Sequence, residues 1–144
     1  MRTMMLGWPF WAFSSAVFAA LTAILAKVGV SGINSDLATL IRTGVILLAS
    51  AGIVAGMGEF HGLAETPARS WLFLILSGLA TGASWLCYFR ALKLGDAARV
   101  APIDKLSVVM VAVFATIFLG ERLSAMSWSG IVLIAFGALL VAWG

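Results

Sequence analysis

The chain has 144 residues, of which 62% are hydrophobic and only 10% are charged, and its net charge is +3. Soluble domains carry about 25% charged residues, so this composition excludes an ordinary soluble enzyme, a nucleic-acid-binding domain and a disordered tail. The nine Lys and Arg residues form no basic run, which is typical of loop and interface charges on a membrane protein. The sequence therefore predicts an all-α integral membrane protein.

Five apolar stretches are each long enough to cross a bilayer as a helix. In chain order they are residues 8–28, 37–57, 71–91, 100–119 and 126–143. Because no connecting loop exceeds about 15 residues, we expect residues 1–144 to form a single transmembrane domain of five helices. The first stretch is too long for the apolar core of a signal peptide and follows one charge, Arg2, so we expect it to be retained.

Polar side chains recur at helical spacing in the first three predicted spans. Those of the third span fall within an arc of about 60° and end at the chain's only tyrosine. Such residues either bond to backbone carbonyls and pack between helices, or line a cavity that binds a solute. The candidate substrate-binding residues are Ser15, Thr39, Arg42, Thr43, Ser77, Thr81, Ser84, Trp85 and Tyr88.

Glycines in the spans are interpreted as packing contacts, since small residues let helices approach each other closely. Gly78 and Gly82 lie beside the polar stripe of the third span. The fifth span is apolar all round and carries Gly130 and Gly137, so we expect it at the periphery, where it would contribute to pairing between subunits.

Charged residues gather near one side of the membrane, because successive spans alternate in direction. Pro102 is expected in the first turn of the fourth span, where its missing N–H is tolerated. Asp104 is the only carboxylate predicted below a membrane surface, and we expect its partner to come from another span, since its neighbour Lys105 points about 100° away on a helix. The layer is either a structural ion-pair network or a substrate- or proton-handling site that favours solutes with a carboxylate or phosphate. Its candidate members are Lys27, Arg42, Arg90, Asp104 and Lys105.

No motif in the sequence points to catalysis, a cofactor or a metal. The chain contains no phosphate-binding loop, no zinc-protease motif and no nucleophile elbow. The single cysteine, Cys87, allows no internal disulfide, and His61 is expected to be a solvated loop residue. We therefore expect neither enzymatic activity nor ATP-driven transport by this chain alone.

Short segments resemble the EamA domain of the drug/metabolite transporter superfamily. They are YFRAL at 88–92, VAPIDKLSVV at 100–109 and FLGERLS at 118–124. The second of these, with ALTAILAKVGVSG and DLATLIRT in the first half, resembles the single-domain, five-span bacterial and archaeal branch. The resemblance covers nearly the whole chain and implies a transport-type fold, but it implies no particular substrate.

The expected function is secondary transport of a small polar or amphipathic metabolite or drug by alternating access. The alternatives are a non-transporting membrane subunit of a larger complex and a lipid-carrier translocase. An odd number of spans gives two fused copies opposite orientations, so we expect a lone unit to act as a homodimer, or as a heterodimer with a similar chain.

The expected location is the plasma membrane of a prokaryote, in contact with lipid and a small-molecule solute and without nucleic acid. The distribution of Lys and Arg favours an external N-terminus. Both a single orientation and a dual topology with antiparallel dimers remain open.

Overall fold

The computed structural model describes residues 7–144, and in these residues it contains helices and no strands, which confirms the predicted all-α class. Arg2 lies outside the described residues. Within them, five helical segments are long and apolar enough to cross a membrane. The helices are α1 (Trp8–Val30), α2 (Ser35–Met57), α3 (Gly62–Glu65), α4 (Ala68–Leu94), α5 (Ala97–Asp104), α6 (Ser107–Phe114) and α7 (Ala125–Trp143).

Helix α2 has well-defined ends that follow from its sequence. The side-chain oxygen of Asn34 accepts hydrogen bonds from the backbone N–H groups of Asp36, at 2.8 Å, and Leu37, at 3.3 Å. This cap satisfies two of the donors that a helix start leaves unpaired. At the other end Gly58 adopts a φ of 72°, a left-handed conformation that favours glycine. The cap places Asp36 in the first turn of the helix.

The fourth predicted span is interrupted. Helix α5 begins at Ala97, three residues before the predicted start, so Pro102 lies inside the helix and its predicted first-turn position is wrong. Proline cannot donate the hydrogen bond to the carbonyl four residues earlier, and α5 ends at Asp104. Lys105 and Leu106 connect it to α6 through tighter bonds that span three residues. After α6 the chain forms a wider π-helical turn, Ala115–Leu119.

The described chain divides into two compact units. One unit consists of the described part of Met1–Val28 together with Leu94–Gly144. In this unit the backbones of α5 and α7 pack closely against each other. Small residues allow this approach, and Ala138 of α7 is buried.

The other unit, Gly29–Lys93, contains α2 and most of α4. Helices α2 and α4 lack the extensive backbone contact that α5 and α7 make. Long side chains connect α2 and α4 instead. Val30 and Leu92 are the largest fully buried side chains in the described chain.

Candidate functional site

Helices α2 and α4 are linked at the start of α2 by charged side chains. The guanidinium of Arg90 donates to both carboxylate oxygens of Asp36, with its Nε at 3.1 Å and its Nη2 at 2.8 Å. One turn along, the Lys93 ammonium donates to the backbone carbonyl of Ile33 at 2.7 Å. A two-bond arginine–carboxylate pair has a defined direction as well as a defined distance, and this one joins α4 to the first turn of α2.

Next to this pair, Arg42 of α2 lies over two aromatic rings of α4. Its guanidinium carbon is 4.0 Å from the centre of the Trp85 ring and 5.5 Å from that of Phe89. Phe89 is buried and Arg42 is partly buried. Attraction between a cation and an aromatic face contributes about 0.5–2 kcal/mol, and more where water is excluded. We call the end of the α2–α4 unit formed by Asp36, Arg42, Trp85, Phe89 and Arg90 the closed end.

A groove of about 450 Å³ runs between the two helices from the closed end toward the middle of the span. Its volume lies within the range of about 300–1,000 Å³ that is usual for small-molecule sites. Most of its wall is aliphatic, with a few hydroxyl groups and one aromatic ring. The lining residues are Thr43, Ile46, Leu47, Ser50, Leu74, Ser77, Gly78, Thr81, Gly82 and Trp85. We call this feature the α2–α4 groove.

Glycines create part of the space in the groove. A Cβ atom added at Gly78 or Gly82 would meet no described atom within 4 Å. Within residues 7–144 the two glycines make no helix-packing contact, and both line the groove. The groove face of α4 is consequently centred about 60° round the helix from the predicted polar stripe, on the side of the glycines.

The hydroxyl groups of the groove differ in how they are bonded. Thr43 donates to the carbonyl of Thr39 at 2.8 Å, and Thr81 donates to that of Ser77 at 2.9 Å. These threonines therefore present oxygen lone pairs rather than a free proton. The Ser50 and Ser77 side chains make no hydrogen bond with any other residue in the described range, so they can donate as well as accept. The groove therefore has a mostly apolar wall in which the hydroxyl groups of Ser50 and Ser77 are available to bond to a solute.

Several candidate residues are not part of the lining. Thr39 is on the same face of α2 as Thr43, but it is buried and donates to the carbonyl of Ser35 at 2.9 Å. Ser84 and Tyr88 lie on α4 outside the groove lining. Ser15 is exposed on α1, in the other compact unit. The structure thus brings Thr43, Ser77, Thr81 and Trp85 together, with Arg42 stacked on the last of them.

The other predicted charges belong to the unit that contains α5 and α7. Asp104 pairs with Lys105, with 3.1 Å between the ammonium and a carboxylate oxygen, so the expectation of a partner from another span is wrong. Adjacent side chains point about 100° apart only where both residues are part of the same helix. Here α5 ends at Asp104, so Lys105 lies outside it. Lys27 donates to the backbone carbonyl of Gly95 at 2.8 Å.

The predicted second span begins at residue 37 and therefore misses Asp36, which the structure places in the first turn of α2. The available signal was Asn34, a preferred cap residue, which would have placed Asp36 inside the first helical turn. No cluster of three or more His, Cys, Asp or Glu residues that could hold a metal occurs in residues 7–144.

Comparison with known proteins places the chain among transporters. A model described as the EamA-like transporter family matches residues 6–143. The chain is 68% identical over 135 residues to a Sinorhizobium sp. protein named "Uncharacterized transporter in cobO 3'region", covering 94% of this chain and 96% of that protein. It is 27% identical over 131 residues to "Uncharacterized transporter YxxF" of Bacillus subtilis (strain 168), covering 90% of this chain and 40% of that protein. No solved structure matches the chain.

Proposed function

Because the chain belongs to the EamA-like transporter family, we propose that it is a secondary transporter that binds a small polar or amphipathic solute in the α2–α4 groove. The chain is a multi-pass membrane protein, and the proposed location is the plasma membrane of a prokaryote. Transport would proceed by alternating access, with the groove exposed in turn to the two sides. The observation that carries the proposal is a groove of suitable volume between two membrane-crossing helices.

The wall of the groove supports this assignment. A transported solute must leave as readily as it enters, so a site with few polar groups suits it better than one that bonds every solute atom. The hydroxyls of Ser50 and Ser77 and the oxygens of Thr43 and Thr81 provide such groups. The aliphatic remainder suits the apolar part of an amphipathic solute.

We further propose that two units act together. The Sinorhizobium relative is matched over 96% of its length, so it contains one such unit, whereas the match to the Bacillus subtilis relative leaves most of that protein for further sequence. A second unit in the opposite orientation would create an inverted repeat, as in many transporters. A relative that contains one unit can obtain the second unit only from another chain.

Helix α7 is the proposed pairing surface. A Cβ atom added at Gly130 or Gly137 would meet no described atom within 4 Å, so these positions are open to a neighbouring helix. A leucine there should not clash within the chain, but it should push a second helix away. Gly130→Leu is therefore expected to shift purified dimers toward monomers, which crosslinking and mass measurement in detergent can detect. Wild-type protein that is monomeric at all concentrations would contradict the pairing proposal.

The test of transport is solute counterflow in proteoliposomes, with purified protein and a panel of labelled metabolites. Gly78→Leu should block counterflow, because the leucine side chain would extend into the groove. A Cβ atom at this position has no other atom within 4 Å in residues 7–144, so the change should not disturb the packing of the chain. Gly52→Leu is the matched control, since Gly52 is equally open but does not line the groove. Flux that both variants retain would contradict the assignment of the groove.

Two other functions would give different results in this assay. A non-transporting subunit would show no flux alone and would copurify with a stoichiometric partner. A lipid-carrier translocase would move a labelled polyprenyl-phosphate lipid and no water-soluble metabolite. Either result would overturn the proposed function.

A further inference from the structure

Arg42 differs from the other candidate cations in that its side chain donates no hydrogen bond and forms no ion pair within residues 7–144. Arg90 is paired with Asp36 and Lys105 with Asp104, while Lys27 donates to a carbonyl. The Arg42 guanidinium lies over the rings of Trp85 and Phe89 and interacts electrostatically with Tyr88. A charge within a membrane-crossing helix is costly unless it is paired or reaches water, so an unpaired guanidinium here marks a place for an anion.

The N–H groups of Arg42 are available to a ligand, because none of them donates a hydrogen bond within residues 7–144. The five N–H groups of a guanidinium lie in its plane, and the attraction to an aromatic face comes from the positive charge and needs no hydrogen bond. The Trp85 ring therefore holds the guanidinium without using its hydrogen-bond donors. Two of these donors match the two oxygens of a carboxylate.

The position of Arg42 relates this charge to the groove. Trp85 both supports the guanidinium and lines the groove, and Thr43, the next residue after Arg42, lines it as well. Beyond Trp85 the wall is formed largely by aliphatic residues, including Ile46, Leu47 and Leu74. A ligand of matching chemistry has an oxyanion at one end and an apolar body behind it.

We propose that Arg42 is the anion-binding residue of the α2–α4 groove, and that its ligand is a small organic anion with a carboxylate joined to an apolar body. This inference rests on the proposed function and adds the chemical class of the solute. It assigns anion binding to Arg42 alone, whereas the sequence indicated a layer of four cations. Trp85 acts as a positioning residue that holds Arg42 at the end of the groove.

The test uses three probes of the same size and different charge: phenylacetate, its neutral amide and phenethylammonium. Binding to the purified full-length protein in detergent is measured by calorimetry and by the shift in Tm, so it does not depend on flux. Phenylacetate is expected to bind at least tenfold more tightly than the amide, and phenethylammonium more weakly still. Equal affinity for the acid and the amide, preference for the ammonium, or no saturable binding of phenylacetate would each overturn the proposal.

Substitutions then identify the residue responsible. Arg42→Gln is expected to remove the preference for the acid over the amide, and Arg42→Lys to retain part of it, because lysine keeps the charge but loses the two-bond geometry. The matched control is Arg69→Gln at the other end of α4, since Arg69 also lies over a ring, that of Phe73 at 5.9 Å. An unchanged preference in folded, monodisperse Arg42→Gln would overturn the assignment. If Arg42→Gln does not fold, Arg42→Lys and the charge series on the wild type decide the question.

Two further results separate this inference from the proposed function and from lipid binding. Arg42-dependent binding of phenylacetate without flux in proteoliposomes supports the anion site and contradicts transport. Counterflow of a cation that Arg42→Gln leaves unchanged supports transport and contradicts the anion site. If short-chain phosphatidylglycerol binds in an Arg42-dependent way and phenylacetate does not, the ligand is a lipid headgroup and the assignment to a small solute is wrong.

Discussion

Leu92 provides a direct test of whether the helices pack as described. Its side chain is fully buried near the end of α4, whereas Leu94, two residues later on the same helix, is 90% exposed. Leu92→Ala should therefore remove packing contacts that Leu94→Ala does not touch. The two variants make the same chemical change with the same effect on helix propensity, so the difference between them reports burial.

The expected magnitude is smaller than in a soluble protein. There, replacing a buried leucine with alanine costs about 2–5 kcal/mol, including the cavity that remains. About 2.4 kcal/mol of this is transfer of three methylene equivalents from water, at about 0.8 kcal/mol each. In a bilayer the separated helix keeps its leucine in lipid, which is as apolar as leucine itself. The packing and cavity part remains, so we expect Leu92→Ala to cost about 0.5–2.5 kcal/mol.

The assay is reversible unfolding in mixed micelles, followed by circular dichroism or tryptophan fluorescence. Leu94→Ala is expected to unfold within about 0.5 kcal/mol of the wild type, as is usual for exposed positions. Equal losses in both variants, or a larger loss for Leu94→Ala, would show that α4 does not bury Leu92 in the membrane-embedded protein.

Three further predictions concern the ionic contacts and the groove. Asp36→Asn and Arg90→Gln should each lower Tm only slightly, because the pair is exposed. The double variant should lose no more than either single one, because each change breaks the same pair; additive losses would contradict the pair. A cysteine at Ser77, in a background with Cys87→Ala, should react with a water-soluble thiol reagent, and prior addition of phenylacetate should slow the reaction; complete protection without ligand would contradict an open groove. Asp104→Asn should reduce proton-driven flux and counterflow to the same extent, since its carboxylate already serves Lys105; loss of proton-driven flux alone would show that Asp104 couples protons.

Hydropathy alone predicts the spans of this chain well, because the thickness of the bilayer determines their length. The first predicted span, residues 8–28, differs by two residues from the observed helix Trp8–Val30. The last, residues 126–143, differs by one residue from Ala125–Trp143. The break after α5 was not predicted, since it depends on where the fourth helix begins. A helix that starts at Ala97 rather than at residue 100 moves Pro102 out of the first turn.

The rotation of α4 is the part of the site that sequence periodicity could not supply. Periodicity identified a polar stripe, but a hydroxyl that bonds to its own helix, as in Thr81, does not require water or a ligand. The position of the groove depends on where side-chain volume is missing, and Gly78 and Gly82 lie to one side of the stripe. Glycine spacing has two opposite meanings, close packing or open space, and only the placement of neighbouring helices decides between them.

The contacts at the closed end suggest which part of the unit must move during transport. The Arg90–Asp36 pair and the contact of Arg42 with Trp85 both join α2 to α4 at this end. Under the proposed function, these are the contacts that would separate when a solute passes this end of the groove. The Arg90 and Asp36 side chains are 62% and 46% exposed, and water can therefore replace their hydrogen bonds at little cost. Under the proposed alternating access, this exposed pair could therefore open and close at little cost.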